Sequence, residues 1–385
     1  MTNLAKSIQR ELALFKDAIE LDGGSIPEVL KSAFCKARKK LKHTVFIEFS
    51  QMACKEFYAS DEVVRWKGYR VIGVDGSTHE LPASKELKEK YGVAAKRADG
   101  KEICMARSLM VYDTLNHLTL YGEMDRYRQS EMGMLWNALS VLKLDRKDIL
   151  VFDRYYASHL LIFYLHKRGV QFCFRMKDNW YEVQRFLRSG LESDDLIINL
   201  PARDQRKADE LGIKEKRFKC RLVKVQLDSG ETEILLTSLT NETKITVADL
   251  YELYGLRWFV EEAFKTFKHK VCLENFSGKS DKAVLQDFYV KIFIMNLTAV
   301  AVRPINEALK KPSVKVKYTY QVNFTEALAT MKRGVVSFFI TGSITKGLQR
   351  LYDRLQKATA AIRPGRKFKR REPEKRRFHT NYKPT

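Results

Sequence analysis

Tyr254, Arg257, Glu261 and Lys268 follow one another at intervals of three, four and seven residues within YELYGLRWFVEEAFKTFKHK, 251–270. Wound at about 100° per residue, this stretch gathers Leu253, Leu256, Phe259, Val260, Ala263, Phe264 and Phe267 into one apolar arc. The four polar residues then fall within roughly 60° of each other on the opposite side, with Lys265 beside them. A lone carboxylate aligned with a phenol, a guanidinium and ammonium groups suits an anionic ligand, with the acid reserved for another task. Two more acids close apolar, strand-like runs: Asp75 in YRVIGVDGST (69–78) and Asp153 in DILVFDR (148–154). Either acid alone reads as a turn or cap residue; the combination is what carries chemistry. Three carboxylates converging in a basic chain repel unless a divalent cation neutralises them. Oxygen-only ligation favours Mg²⁺, or Mn²⁺, over zinc or copper. Asp75, Asp153 and Glu261 are therefore the candidate metal ligands for phosphodiester chemistry, in which metal ions activate water and stabilise the leaving oxygen. Arg257, Lys265 and Lys268 are candidates to hold neighbouring phosphates, and Tyr254 to donate a hydrogen bond or stack.

Such a meeting needs a sheet that places 75 beside 153 and a helix that carries 261 onto it. After β-branched 69–78, the segments 106–115 and 117–125 read as antiparallel strands joined at Asn116. Helix 130–142, strand 148–154, helix 158–169 and strand 170–177 follow. Three strands, helix, strand, helix, strand is the order of an α/β, ribonuclease H-like core. The strands in DLIINL, FKCRLVKVQL and TEILLTSLT form a β-rich insertion over 181–245 that interrupts this core. The expected organisation is thus a helical, DNA-binding region over 1–64, a core over 65–180 and 246–300, the insertion, a helical part over 301–362 and a basic tail over 363–385. In the first region, a helical pattern runs from 4 to 20, a basic helix opens at a Ser25–Glu28 capping box, and another helix spans 47–59. Helices are also expected at 281–302, 323–333 and 343–362. Glu131, just after Ser130, reads either as a helix-start charge favoured by the dipole or as a group supporting the acids.

The 385 residues carry a formal charge of +23 and are 45% hydrophobic, which predicts a folded chain whose partner is a polyanion, chiefly double-stranded DNA. The tail RPGRKFKRREPEKRRF has nine basic and two acidic residues and reads as a nonspecific polyanion-binding arm. No apolar run is read as approaching the roughly 18 residues of a membrane span, and no signal peptide is evident. The six cysteines lack CxxC pairing or zinc spacing and are expected as reduced thiols in the cytoplasm. Histidines 79, 117, 159, 166 and 269 do not pair at metal spacing.

The spacing Y-x2-R-x3-E-x6-K resembles the YREK signature of DDE transposases of the insertion sequence 4 family, and VIGVDGSTHELP and LVFDRYYAS resemble that family's two aspartate segments. The resemblance implies a bacterial, nucleoid-associated enzyme that cuts transposon ends and joins them to target DNA. It also implies metal ligation by Asp75, Asp153 and Glu261, a hairpin intermediate and a dimer on DNA. Family members place an aromatic residue, notably tryptophan, in the insertion to hold a flipped base. No tryptophan occurs here between Trp180 and Trp258, leaving Phe218 as the candidate. Two alternatives share much of this pattern: a ribonuclease H-like DNA nuclease without strand transfer, and a non-catalytic basic DNA-binding relative.

Overall fold

The computed structural model describes residues 8–21, 25–60, 62–97, 99–227, 230–310, 318–340 and 344–362; the basic tail lies outside them. Three helices come first: α1 (Ile8–Leu21), α2 (Lys31–Arg38) and α3 (Thr44–Tyr58). The Ser25–Glu28 capping box does not form. Instead α2 starts at Lys31, after Leu30, an N-cap without a side-chain hydrogen bond. The start is set from outside, because Gln9 of α1 accepts from the Lys31 amide at 2.7 Å and donates to the Val29 carbonyl at 3.3 Å. These contacts satisfy helix-end groups that a local cap would otherwise serve.

The next elements are β1 (Arg70–Leu81), α4 (Lys85–Tyr91), β2 (Val93–Lys96), β3 (Glu102–Asp113), β4 (Leu118–Arg126), α5 (Glu131–Val141), β5 (Asp148–Phe152), α6 (His159–Lys167) and β6 (Gln171–Arg175). They follow the expected order, with α4 and β2 added between its first two strands. The chain continues through α7 (Tyr181–Arg188), β7 (Ser193–Asn199), α8 (Gln205–Glu210), β8 (Arg217–Gln226) and β9 (Thr232–Thr237). All nine strands belong to one mixed sheet of order β2-β3-β1-β5-β6-β9-β8-β7, with β4 also paired to β3. β1 runs antiparallel to β3 and parallel to β5, and β5 is parallel to β6. The 181–245 block does not fold apart from this sheet. Its β9 pairs antiparallel with β6, Cys173 opposite Thr237, so β7 to β9 extend the same sheet and α7 and α8 pack with it.

Central strands are buried on both faces, which explains why their sequences are nearly continuous apolar runs. Ile72, Val74, Leu150, Phe152, Phe172 and Phe174 face α5 and α6. Val71, Ile149, Val151 and Cys173 face the other way, toward α9 (Val247–Gly255), and α10 (Trp258–Lys265) packs further along that side. The C-terminal part comprises α11 (Asp281–Leu309), β10 (Tyr320–Val322), α12 (Phe324–Ile340), α13 (Ile344–Lys357) and β11 (Thr359–Ala361), with β10 and β11 forming a second sheet.

Helix α11 spans 29 residues, seven beyond the expected end, and continues through Pro304. It contains an 18-residue window of mean hydropathy 1.4, so by length and composition it could cross a membrane, contrary to the expectation that no run approached that length. Its apolar residues are used inside the molecule: Phe288, Ile292 and Met295 enter the core beneath the sheet. Polar pins tie neighbours to it. Asn296 Nδ2 donates to Ser50 Oγ of α3 and to the Thr119 carbonyl of β4, each at 2.8 Å. Arg38 of α2 bonds Gln286 at 2.6 Å and Asp287 at 2.9 Å, and also contacts Ser277.

Candidate active site

The register of the two parallel central strands sets the positions of the first two acids. Gly73 of β1 stands opposite Val151 of β5. Asp75 is two residues further on; it does not end its strand as expected, since β1 runs on to Leu81, and pleat alternation turns it to the face covered by α9 and α10, while Asp153 directly follows β5. Gly73 lets that cover approach closely, since a Cβ there would lie 3.2 Å from Val260 Cγ1 of α10. Glu261 is the next residue of that helix.

Electrostatics reflects this convergence. Burial pushes the Asp75 carboxyl up to about 7, and the negative charges of Glu261 and Asp153 add to the rise. The Gly76 amide, which donates to Asp75 Oδ1 at 3.0 Å, and the Arg257 guanidinium oppose it. Asp153 closes a turn by accepting from the Tyr155 amide at 2.8 Å. Glu261 accepts from Arg257 Nη2 at 2.7 Å. Among the described residues, no three His, Cys, Asp or Glu side chains form a metal-ready set in this arrangement. The acids suit a hard cation in donor type, and the Asp75 carboxyl is raised mainly by burial, with the two neighbouring acids adding to it. The Arg257 contact accounts for the charge of Glu261.

The segment expected as one helix is broken. Arg257 donates its amide to the Tyr254 carbonyl at 3.0 Å, and Val260 donates to the Arg257 carbonyl at 3.1 Å. These three-residue turns separate α9 from α10. A π-helical turn over Thr266–Lys270 then shifts the phase again. The single polar stripe therefore does not exist. Tyr254 and Arg257 are only 5% and 6% exposed, whereas Trp258 and the supposedly inward Phe259 are 52% and 40% exposed. Arg257 lies over the Tyr254 and Trp258 rings, 5.6 and 5.1 Å from their centroids. Lys268 reaches back to β1 and donates to the Thr78 carbonyl at 2.9 Å. Lys265 stays on the surface, ion-paired to Glu262 at 2.6 Å.

The sequence reading missed a polar cleft beside the acids. It has a volume of ≈ 380 Å³ and is lined chiefly by Arg154, Arg175, Lys177, Asp178, Thr232 and Glu233. Glu233 is buried; one oxygen is 2.9 Å from Arg175 Nη1 and the other has no partner. The buried Tyr254 hydroxyl also lacks a partner. Arg154 directly after Asp153, and the basic exit of FRMK, were the available signals. Phe218 does not face this cleft: it stacks on His166 at 3.8 Å and packs against Phe163. Glu131 is not a free helix-start charge either. It accepts from the Tyr156 hydroxyl at 3.2 Å and lies 3.5 Å from Arg107.

Residues 66–297 match the family described as transposase DDE domain. A search of curated proteins gives no match. Among solved structures, a piggyBac transposase synaptic complex with hairpin DNA is similar at 11% identity and a TM-score of 0.42. The similarity covers 77% of this chain and 59% of that one, so the chain spans less than two thirds of that relative's length.

Proposed function

We propose, from the premise that the chain belongs to the transposase DDE domain family, that it cuts transposon ends and joins them to target DNA, using Asp75, Asp153 and Glu261 as its acids. The observation that carries this reading is the parallel β1–β5 register, which sends Asp75 and Asp153 to one face beneath the helix bearing Glu261. The order β4-β3-β1-β5-β6, three antiparallel strands followed by two parallel to β1, supports a ribonuclease H-like core. The spacing of Tyr254, Arg257, Glu261 and Lys268 supports placement in the insertion sequence 4 branch with its YREK signature.

Asp75, Asp153 and Glu261 would hold Mg²⁺, or Mn²⁺, once Glu261 exchanges Arg257 for the ion. Bound there, divalent metal supplies a water of lowered pKa and a counter-charge for the leaving oxygen. Released from Glu261, Arg257 can grip a backbone phosphate, and the unpaired Tyr254 hydroxyl can donate beside it. Arg154, Arg175 and Lys177 extend that cationic surface along the strand. Lys265 is available at the rim, while Lys268, tied to Thr78, steadies β1 and can turn toward DNA. Hydrolysis at the transposon end frees a 3′-hydroxyl. Its oxygen attacks the opposite strand, expelling a 3′ oxygen and closing a hairpin; after reopening, it attacks the target. The partners of this reaction are double-stranded DNA and a second copy of the chain, in a bacterial cytoplasm at the nucleoid.

The test uses labelled DNA carrying the terminal repeats that flank the gene, incubated with the protein and Mg²⁺. Hairpins and strand-transfer products are expected. Hydrolytic nicks alone under every condition would reduce the protein to a nuclease, and binding without cleavage to a non-catalytic relative. Asp153→Asn should lower cleavage at least a thousandfold, on the order of a lost catalytic group, while end binding in a gel shift persists.

A further inference from the structure

Gly76 follows Asp75, and its backbone gives no reason for a glycine, since it is not among the glycines with positive φ. The reason lies in space. A Cβ at Gly76 would come within 2.3 Å of Glu131 Cδ and 2.5 Å of Glu131 Oε2. Glu131 is the first residue of α5, which Ser130 caps by accepting from the Gly133 amide at 3.3 Å. A helix-start carboxylate normally points to water; this one lies against the back of β1, on the opposite side from Asp75. Its Oε2 also accepts from Tyr156, which is 1% exposed. Tyr156 closes the turn after β5 by donating its amide to the Asp153 carbonyl at 3.3 Å. One side chain therefore touches both segments that carry the aspartates.

We propose that Glu131 is a positioning residue that fixes the spacing of Asp75 and Asp153 from the α5 face of the sheet, through Gly76 on one side and Tyr156 on the other. The inference rests on the reading of these acids as metal ligands. Gly76 is then a glycine because the carboxylate needs its place. The obstructed atoms are the far end of a flexible side chain, so a methyl at 76 evicts Glu131 instead of breaking the fold.

The experiment measures the Mg²⁺ concentration giving half-maximal cleavage of end DNA, alongside melting temperature. E131A and Y156F should raise that concentration about tenfold or more, the usual effect of losing a group behind metal ligands, with melting close to wild type. E131Q keeps an oxygen for Tyr156 and should stay near wild type, which a purely electrostatic role would not allow. G76A should reproduce E131A, and G76A/E131A should be no worse than either alone. A wild-type midpoint in E131A and Y156F, or a G76A effect that multiplies fully onto E131A, overturns the inference while the acids' assignment stands. A wild-type protein that cleaves without any divalent ion overturns the assignment and the inference together.

Discussion

Glu233 and Asp75 are carboxyls that burial pushes toward the neutral form, in different company. Asp75 has two other acids near it, and Glu233 has Arg175, yet burial outweighs the arginine and leaves its carboxyl above the ordinary value. A carboxyl with a raised folded-state value binds its proton more tightly folded than unfolded. Its contribution to stability is complete below its unfolded value of 4.5 and is lost as pH rises through the folded one. Glu233→Gln should therefore melt higher than wild type near pH 8, with the gap closing by about pH 4. Melting curves across that range check it, and a constant gap would contradict it. Asp75 and Asp153 stood out in sequence as acids in apolar strand runs, a local pattern, although β1 runs on past Asp75 to Leu81 and only Asp153 follows the end of its strand. Glu233 did not, and Glu131 was legible only as one of two alternatives: their neighbours, Arg175 or Gly76 and Tyr156, come from other strands and turns. No spacing rule links positions 76, 131 and 156 before the sheet exists.

The strands were readable as elements because period-two patterns and apolar runs survive wherever a strand sits in a sheet. The helix bearing Glu261 was readable as a helix but not in its phase. The wheel assumes an unbroken 100° step, and the turns at Arg257 and the π turn after Lys265 each violate it. What holds this irregular segment is remote in sequence. Lys291 of α11, 1% exposed, donates to the carbonyls of Cys272, Leu273 and Asn275 at 2.8, 3.1 and 3.1 Å. It caps the chain directly after the π turn, where Cys272 takes a positive φ of 52°. Lys291→Met keeps the aliphatic length and strands those carbonyls, so it should destabilise the protein by about 3 kcal/mol. Chemical denaturation measures this, and a loss below about 0.5 kcal/mol would show that the carbonyls find other donors.

At the scale of the whole molecule, the proposed function makes the formal charge of +23 the first determinant of how DNA would be met. Affinity for random duplex should fall at least tenfold between 50 and 200 mM salt, in keeping with release of several counterions. Removing residues 363–385 takes away ten of the lysine and arginine side chains and should flatten that salt slope, leaving the rate of end cleavage by bound enzyme unchanged; filter binding and single-turnover cleavage separate the two. An equal slope in full-length and truncated protein would assign the charge effect to the folded part alone. The 181–245 block carries a different large-scale consequence. Because β9 zips along β6, the block shields a strand whose Phe172 and Phe174 face one way and Cys173 the other, all fully buried. Excising it as a detachable module would lay open a naked ladder of amides and carbonyls bordered by aromatic rings, a template for clumping into aggregates. The 181–245 segment thus also works as the hem that keeps this sheet from fraying into its neighbours.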